Sequence, residues 1–160
     1  MLAIGDTVYV FSYFPSSQVS AWSTYKPGFV VDRWAYDGRQ VLCRSGNKIF
    51  SLGGENGNIY DNTSVTVQMP FLDASSPATF KDLMSIDVTC ENVWNVSLAT
   101  DPQNIADFED VVTVHRTTYG LGRASITGYS THVAPRLTCT QPGRAKIGNI
   151  AIHYQASEAG

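Results

Sequence analysis

The side chains able to do acid–base, metal or nucleophilic chemistry are few in this chain of 160 residues, and they are widely spaced. His115, His132 and His153 are the only histidines, each in or beside a strand pattern. No His-x-x-x-His or His-Glu-x-x-His arrangement brings two of them onto one helix face. Metal ligands usually occur in close sequence pairs, so no metal site is expected from these three. Cys43, Cys90 and Cys139 lack the Cys-x-x-Cys spacing of a zinc knuckle, and an odd number cannot all pair internally; they read as small buried apolar side chains of a reducing compartment. Asp107, Glu109 and Asp110 have the chemistry of a glycosidase acid pair, but adjacent acids on a loop read as solvated surface, and nothing fixes the separation that glycoside cleavage requires. The stretch GLGRAS around Gly122 has the glycines of a nucleotide loop without the Walker lysine and without a following helix, which makes it a turn. A Gly-x-Ser-x-Gly elbow is missing as well. With no nucleophile and base to pair, the expectation is a protein that is not an enzyme, with no catalytic, cofactor or metal residues.

Charge narrows the partners. Eleven basic against fourteen acidic residues give a net charge of -3 with no run of either sign, so the electrostatic footprint of a nucleic-acid binder is missing and any DNA contact is at most non-specific. No apolar run reaches the roughly 18 residues of a membrane helix, and the amino-terminal stretch has no basic-then-apolar signal pattern, so the chain reads as soluble, not secreted, and not in a membrane. Asn62-Thr63-Ser64 and Asn95-Val96-Ser97 match the glycosylation sequon, accidentally on this reading. The aromatic residues carry more weight. Trp22, Tyr25, Trp34 and Tyr36 could stack on sugars or single-stranded nucleic acid, while packing in a core or an interface is the commoner use of such rings.

The elements that position these residues have a period of two throughout. Thr7 to Phe14 is apolar on both faces, and Pro-Ser-Ser-Gln turns it into Val19 to Tyr25. Lys26-Pro27-Gly28 breaks the pattern, and Phe29 to Tyr36 leads to Asp37-Gly38, a hairpin signal because both residues tolerate positive φ. Gln40 to Arg44 and Lys48 to Leu52 complete a tight antiparallel meander that ends in the Gly- and Asn-rich GGENGN. After Tyr60-Asp61, the alternation of VTVQM places Val65, Val67 and Met69 on one face. Further strands are expected at Ser85 to Cys90, Val93 to Thr100, Val111 to Thr117, Arg123 to Tyr129, Arg136 to Thr140 and Ile147 to Gln155, with a turn at Glu91-Asn92 and a loop over Asp101 to Asp110. The fold class is all-β: a propeller-blade-like antiparallel meander over residues 1–60, then a β-sandwich or jelly-roll-like domain over 61–160. The core expected for the second region contains Val65, Val67, Ile86, Val88, Trp94, Val96, Val112, Val114, Ile126, Ile150 and Ile152. The first region has more apolar surface than one face needs, and a small lone sheet is not stable by itself. It packs on the second region, or it is one blade of an array whose other blades lie elsewhere.

The order of these features resembles the last propeller blade of the podophage tail hub and nozzle proteins, the family that includes the packaged-DNA stabilisation proteins. The residues that carry the resemblance are Val8 to Tyr13, Ala21-Trp22-Ser23, Phe29 to Tyr36 and Val41 to Leu52. The Tyr60-Asp61 step is similar to the exit from the propeller, and QMPFLDASSPATFKDLMSIDV through IGNIAIHYQ is similar to the β-rich platform that follows. Family members are several times longer, and the upstream blades have no counterpart here.

The resemblance implies a structural component of a tailed-phage virion, placed in a tail hub, nozzle or connector ring around the DNA channel. Its partners are then other tail or connector proteins and further copies of itself in a homo-oligomeric ring, assembled in the host cytoplasm, with no catalytic residues to carry over. The alternative is a carbohydrate- or receptor-binding β module working through exposed aromatic rings. An apolar sheet with open edges must be covered, so Phe11, Phe14, Trp22, Phe29 and Trp34 are expected in covered surface, partly between chains. Exposure separates the two readings: assembly predicts Trp22 and Trp34 in a core or subunit contact, and sugar binding predicts at least one ring open in a groove.

Overall fold

The structure is a computed structural model that describes residues 1–16, 18–52, 64–120 and 122–157. It is all-β: among the described residues there is no helix, and the strands form four antiparallel sheets. The chain divides into two compact units, residues 1–63 and 64–160.

The first unit is built from two successive three-stranded meanders, where the sequence reading expected one sheet. β1 (Leu2–Ile4), β2 (Thr7–Phe14) and β3 (Val19–Tyr25) form the first, in that order. β4 (Arg33–Tyr36), β5 (Val41–Ser45) and β6 (Lys48–Ser51) form the second. Only the carboxy-terminal half of the expected Phe29 to Tyr36 strand is paired, because Pro27 and the positive φ of Gly28 (79°) turn the chain out of the first sheet before it can enter the second. β1 supplies the upstream partner of β2, with Ile4 opposite Thr7 and Leu2 opposite Tyr9 across a turn in which Gly5 adopts φ 60°. The expected Asp37-Gly38 turn joins β4 to β5: Gly38 has φ 93°, and Asp37 Oδ1 accepts the N–H groups of Arg39 and Gln40 at 2.8 Å each. Those two bonds, Gln40 first, hold the Asp37 carboxyl below its ordinary value. The unit has a small core of Val8, Val31 and Cys43, against which Ala3, Val10, Tyr25, Phe29, Trp34 and Phe50 pack.

The second unit is a sandwich. Its strands are β7 (Val65–Gln68), β8 (Lys81–Glu91), β9 (Trp94–Ala99), β10 (Glu109–Val114), β11 (Ala124–Ser130), β12 (Ala134–Cys139) and β13 (Lys146–Ala156). One sheet has four strands in the order β10-β9-β12-β7, the other three in the order β11-β8-β13. Between them lie Ile86, Val88, Val96, Leu137 and Trp94, all essentially without solvent exposure. The Trp94 indole N–H is satisfied by the Glu91 carbonyl at 2.9 Å, so a large amphipathic ring can sit at the centre without stranding its donor. Ten of the eleven core residues expected from alternation are buried or pack against this core. Val65 is the correction: at the start of the edge strand β7, opposite Cys139, its side chain is 38% exposed. Alternation gives the phase of a face, and an edge can still run past the layer it should pack on.

β8 is the central strand of its sheet and holds a polar outer face. Its register with β11 and β13 shifts near Met84, so Leu83 and Ile86 both point inward while Ser85 and Asp87 point outward. Before the start of β11, Thr117 and Thr118 lie along the edge of β8: the Val88 N–H donates to Thr118 Oγ1 at 2.8 Å and the Cys90 N–H to Thr117 Oγ1 at 3.0 Å. Side-chain hydroxyls here satisfy backbone groups that a strand would otherwise pair.

Candidate interaction surface

The three histidines named from the sequence have separate surroundings. His115 is exposed, His132 lies with Nδ1 at 2.9 Å from the Thr131 hydroxyl, and His153 Nε2 lies 2.9 Å from Asp87 Oδ2. Asp87 is nearly buried and also takes the Thr118 hydroxyl at 3.1 Å and Arg123 Nε at 3.4 Å, a set that ties β8, β13 and the turn before β11 together. The three acids named from the sequence diverge: Asp110 accepts the hydroxyl of Ser97, while Asp107 and Glu109 line a niche of about 200 Å³. Gly122 has φ 107° and leads into β11, a turn into a strand. Among the described residues no group of three His, Cys, Asp or Glu side chains is placed to hold a metal ion. The three cysteines are free and buried; burial raises the thiol pKa of Cys43, and burial followed by the neighbouring Cys139 raises that of Cys90.

The outer face of the first sheet is of a different character. β2 alternates so that Val8 and Val10 face the small core, and Tyr9, Phe11 and Tyr13 share the opposite face. Strand register then assembles the face from three strands. Trp22 of β3 is directly opposite Phe11, and Leu2 of β1 is directly opposite Tyr9. Ile4 follows Leu2 on that same side, with the intervening Ala3 turned to the core. Trp22 is 66% exposed, Ile4 61%, Tyr13 57%, Leu2 54% and Phe11 49%. The Phe11 and Trp22 rings meet at 5.1 Å between centroids, tilted by 48°, within the favourable range for an aromatic pair. Ser20 and Thr24 are the small polar members opposite Tyr13 and Tyr9. Charge is confined to the rim, where Lys26 Nζ lies 3.4 Å from Asp6 Oδ2. The Thr7 hydroxyl and then Lys26 hold the Asp6 carboxyl below its ordinary value.

The five aromatic positions named from the sequence therefore separate. Phe11 and Trp22 lie together on the open face. Phe29 stacks on Phe50 at 4.1 Å with the rings 14° apart, in the small core. Trp34 packs against the same core, and its Nε1 is a buried donor with no hydrogen-bond partner among the described residues. Phe14 ends β2 opposite Val19, and its side chain lies outside the described part of the structure. Leu2, Ile4 and Tyr13 are surface members that the sequence reading did not single out. The signal for Tyr13 was its period-two relation to Phe11, and the signal for Leu2 and Ile4 was the Gly5-Asp6 turn that folds β1 onto β2.

No family model, no curated protein and no solved structure matches this chain.

Proposed function

We propose that this protein is a structural component of a tailed-phage virion that assembles into a tail hub, nozzle or connector ring, with the outer face of β1–β3 as an assembly contact. The observation that supports assembly is the uncovered aromatic and aliphatic face of Leu2, Ile4, Phe11, Tyr13 and Trp22, free of charge except at its rim. Contiguous apolar surface of this kind marks an interaction site, because leaving it in water forfeits the free energy that burial supplies. The virion context rests on the sequence resemblance. In this reading Phe11 and Trp22 contact a neighbouring subunit, while Phe29 and Trp34 stiffen the unit that presents them. Low net charge is compatible with many copies side by side. Catalysis plays no part in the proposal.

A second reading, the carbohydrate- or receptor-binding module, is favoured by the openness of Trp22 in a single chain. Against it, the ring lies on a sheet face and is tilted against Phe11, where sugar stacking calls for a flat, accessible ring plane. Sedimentation of the purified full chain over a wide concentration range separates the two. Assembly predicts a discrete oligomer that grows in with concentration; a well-folded monomer throughout would reject it in favour of the binding module.

A further inference from the structure

The first unit has two outer faces, and they differ in chemistry. Ala3, Val8 and Val10 of the first sheet and Trp34, Cys43 and Phe50 of the second meet in one small core. Side chains alternate along every strand, so the remaining residues of each sheet point away from that core, on opposite sides of the unit. One side is the aromatic and aliphatic face of β1–β3. On the other, register sets Arg33 of β4 directly opposite Arg44 of β5, and Arg44 directly opposite Ile49 of β6. Both arginines are exposed, and Ile49 keeps 75% of its surface open. Ala35 and Leu42, opposite each other, continue this side next to them.

Like charges directly opposite each other on neighbouring strands repel, and the fold leaves this pair poorly matched. Asp32 Oδ2 lies 3.9 Å from Arg44 Nε but takes the Gly46 N–H at 2.7 Å. Among the described residues no carboxylate lies within 4 Å of the Arg33 guanidinium. Other cations are engaged within the fold. Lys81 is 2% exposed, and its Nζ donates to the carbonyls of Ser76 (2.8 Å), Thr79 (2.8 Å) and Thr131 (2.9 Å). Arg123 turns to Asp87 at 3.4 Å, and Arg136 lies over the Phe108 ring, 4.0 Å from its centroid. Arg33 and Arg44 are held outward instead, beside an open isoleucine.

The surface that matches this row is the aromatic face of another copy. A guanidinium is planar and weakly hydrated, and it stacks on aromatic rings, as Arg136 does on Phe108 within this chain. Phe11, Tyr13 and Trp22 offer open rings, and Leu2 and Ile4 beside them offer aliphatic surface to Ile49. Each face is three strands wide, about 10 Å from one outer strand to the other. An acidic surface would meet the two charges and leave Ile49 without an apolar neighbour. The two faces lie on opposite sides of one unit, so joining the aromatic face of one copy to the arginine face of the next leaves one free face of each kind at the ends. Such a contact repeats until a ring closes. Two aromatic faces set against each other would stop at a pair and leave the Arg33, Arg44 and Ile49 row in water.

We infer that copies of this chain join head to tail, the β1–β3 aromatic face of one against the Arg33, Arg44 and Ile49 row of the next. This rests on the assembly contact proposed above and names the surface that meets it. The test uses two full-length variants. Trp22→Lys sets a like charge against the arginine pair, and the triple variant Arg33→Thr, Arg44→Thr, Ile49→Thr removes the row with residues that suit strands. Each variant alone should self-associate at least tenfold more weakly than the wild type in sedimentation, with its circular dichroism unchanged. The equimolar mixture should form a 1:1 pair at least tenfold more strongly than either variant associates with itself, through the one junction left intact. If a variant loses its strand signal, Tyr13→Lys, at a side chain 57% exposed, replaces the first, and the double variant Arg33→Thr, Ile49→Thr replaces the second. A threonine variant that self-associates within threefold of the wild type overturns the head-to-tail contact and leaves the assembly reading standing. So does a mixture that forms no pair while the wild type forms its oligomer. A wild-type chain that stays monomeric at every concentration overturns the assembly reading, and this contact with it.

Discussion

Replacing Trp22 with Ala separates what the ring does for the fold from what it does for a partner. A tryptophan covers roughly 150–250 Å² when fully buried. Trp22 keeps 66% of its surface open in the single chain, so about a third is already covered by the fold and about two thirds is left for a partner. At about 25 cal/mol per Å², the open part is worth about 2.5–4 kcal/mol to association, and the covered part about 1–2 kcal/mol to stability. The pair with Phe11 adds about 0.5–1.5 kcal/mol to the stability side. Trp22→Ala should therefore weaken self-association by about 60- to 700-fold in the association constant, at about 1.4 kcal/mol per decade. It should lower folding stability by about 1.5–3.5 kcal/mol. Sedimentation equilibrium reads the first quantity and urea unfolding of the same samples reads the second. An association constant unchanged within threefold, in a variant that still folds, would refute the assignment of this face to assembly.

Two further substitutions set the core against its edge. Val88 has no solvent exposure at the centre of the sandwich, and Val88→Ala should cost about 1–3 kcal/mol in urea unfolding; Val65→Ala, at the exposed edge of β7, should cost only a few tenths. The thiols give a pH signature. Cys43 and Cys90 have raised pKa values in the folded chain, so the unfolded chain releases those protons at lower pH. Their contribution is then complete below the ordinary thiol value of about 8.5 and is lost as pH rises beyond it towards the folded-state values. Thermal unfolding between pH 7 and 10 should show declining stability, and the decline should shrink in a Cys43→Ala, Cys90→Ala double variant; an undiminished slope would remove the thiols as its cause.

Local punctuation was readable from the sequence because it rests on chemistry between neighbours. Asp37-Gly38 and Asn92 sit at turns with positive φ at Gly38 and Asn92, and strand alternation named most of the core between the two sheets of the sandwich. The division of the first meander was not readable. Lys26-Pro27-Gly28 announces a break, but whether the next strand rejoins the old sheet or starts a new one is decided by Val8, Val31 and Cys43 meeting across it. The orientation of the first sheet was hidden for a related reason: β2 is apolar on both faces, so period two divides Val8 and Val10 from Phe11 and Tyr13 without saying which pair meets a core. In β8 the register shift at Met84 breaks the alternation, which is why the inward Leu83 and the outward, buried Asp87 could not both be placed by counting. Thr117 and Thr118 act through hydroxyl bonds to backbone groups some 27 and 30 residues away, and sequence spacing carries no trace of such bonds.

The caging of Lys81 makes it a natural reporter. The chain has four lysines, and Lys26, Lys48 and Lys146 are exposed. An amine-directed reagent requires a reachable amine, and Lys81, 2% exposed with Nζ held on three carbonyls, is out of its reach. Its labelling must wait for the start of β8 to part from the 76–79 loop and from Thr131. The ratio of its modification rate to those of the three open lysines then measures the fraction of time this corner of the sandwich stands open. That gives a clock inside each molecule, readable by peptide mass mapping in a crowded mixture, with no mutation and no added probe.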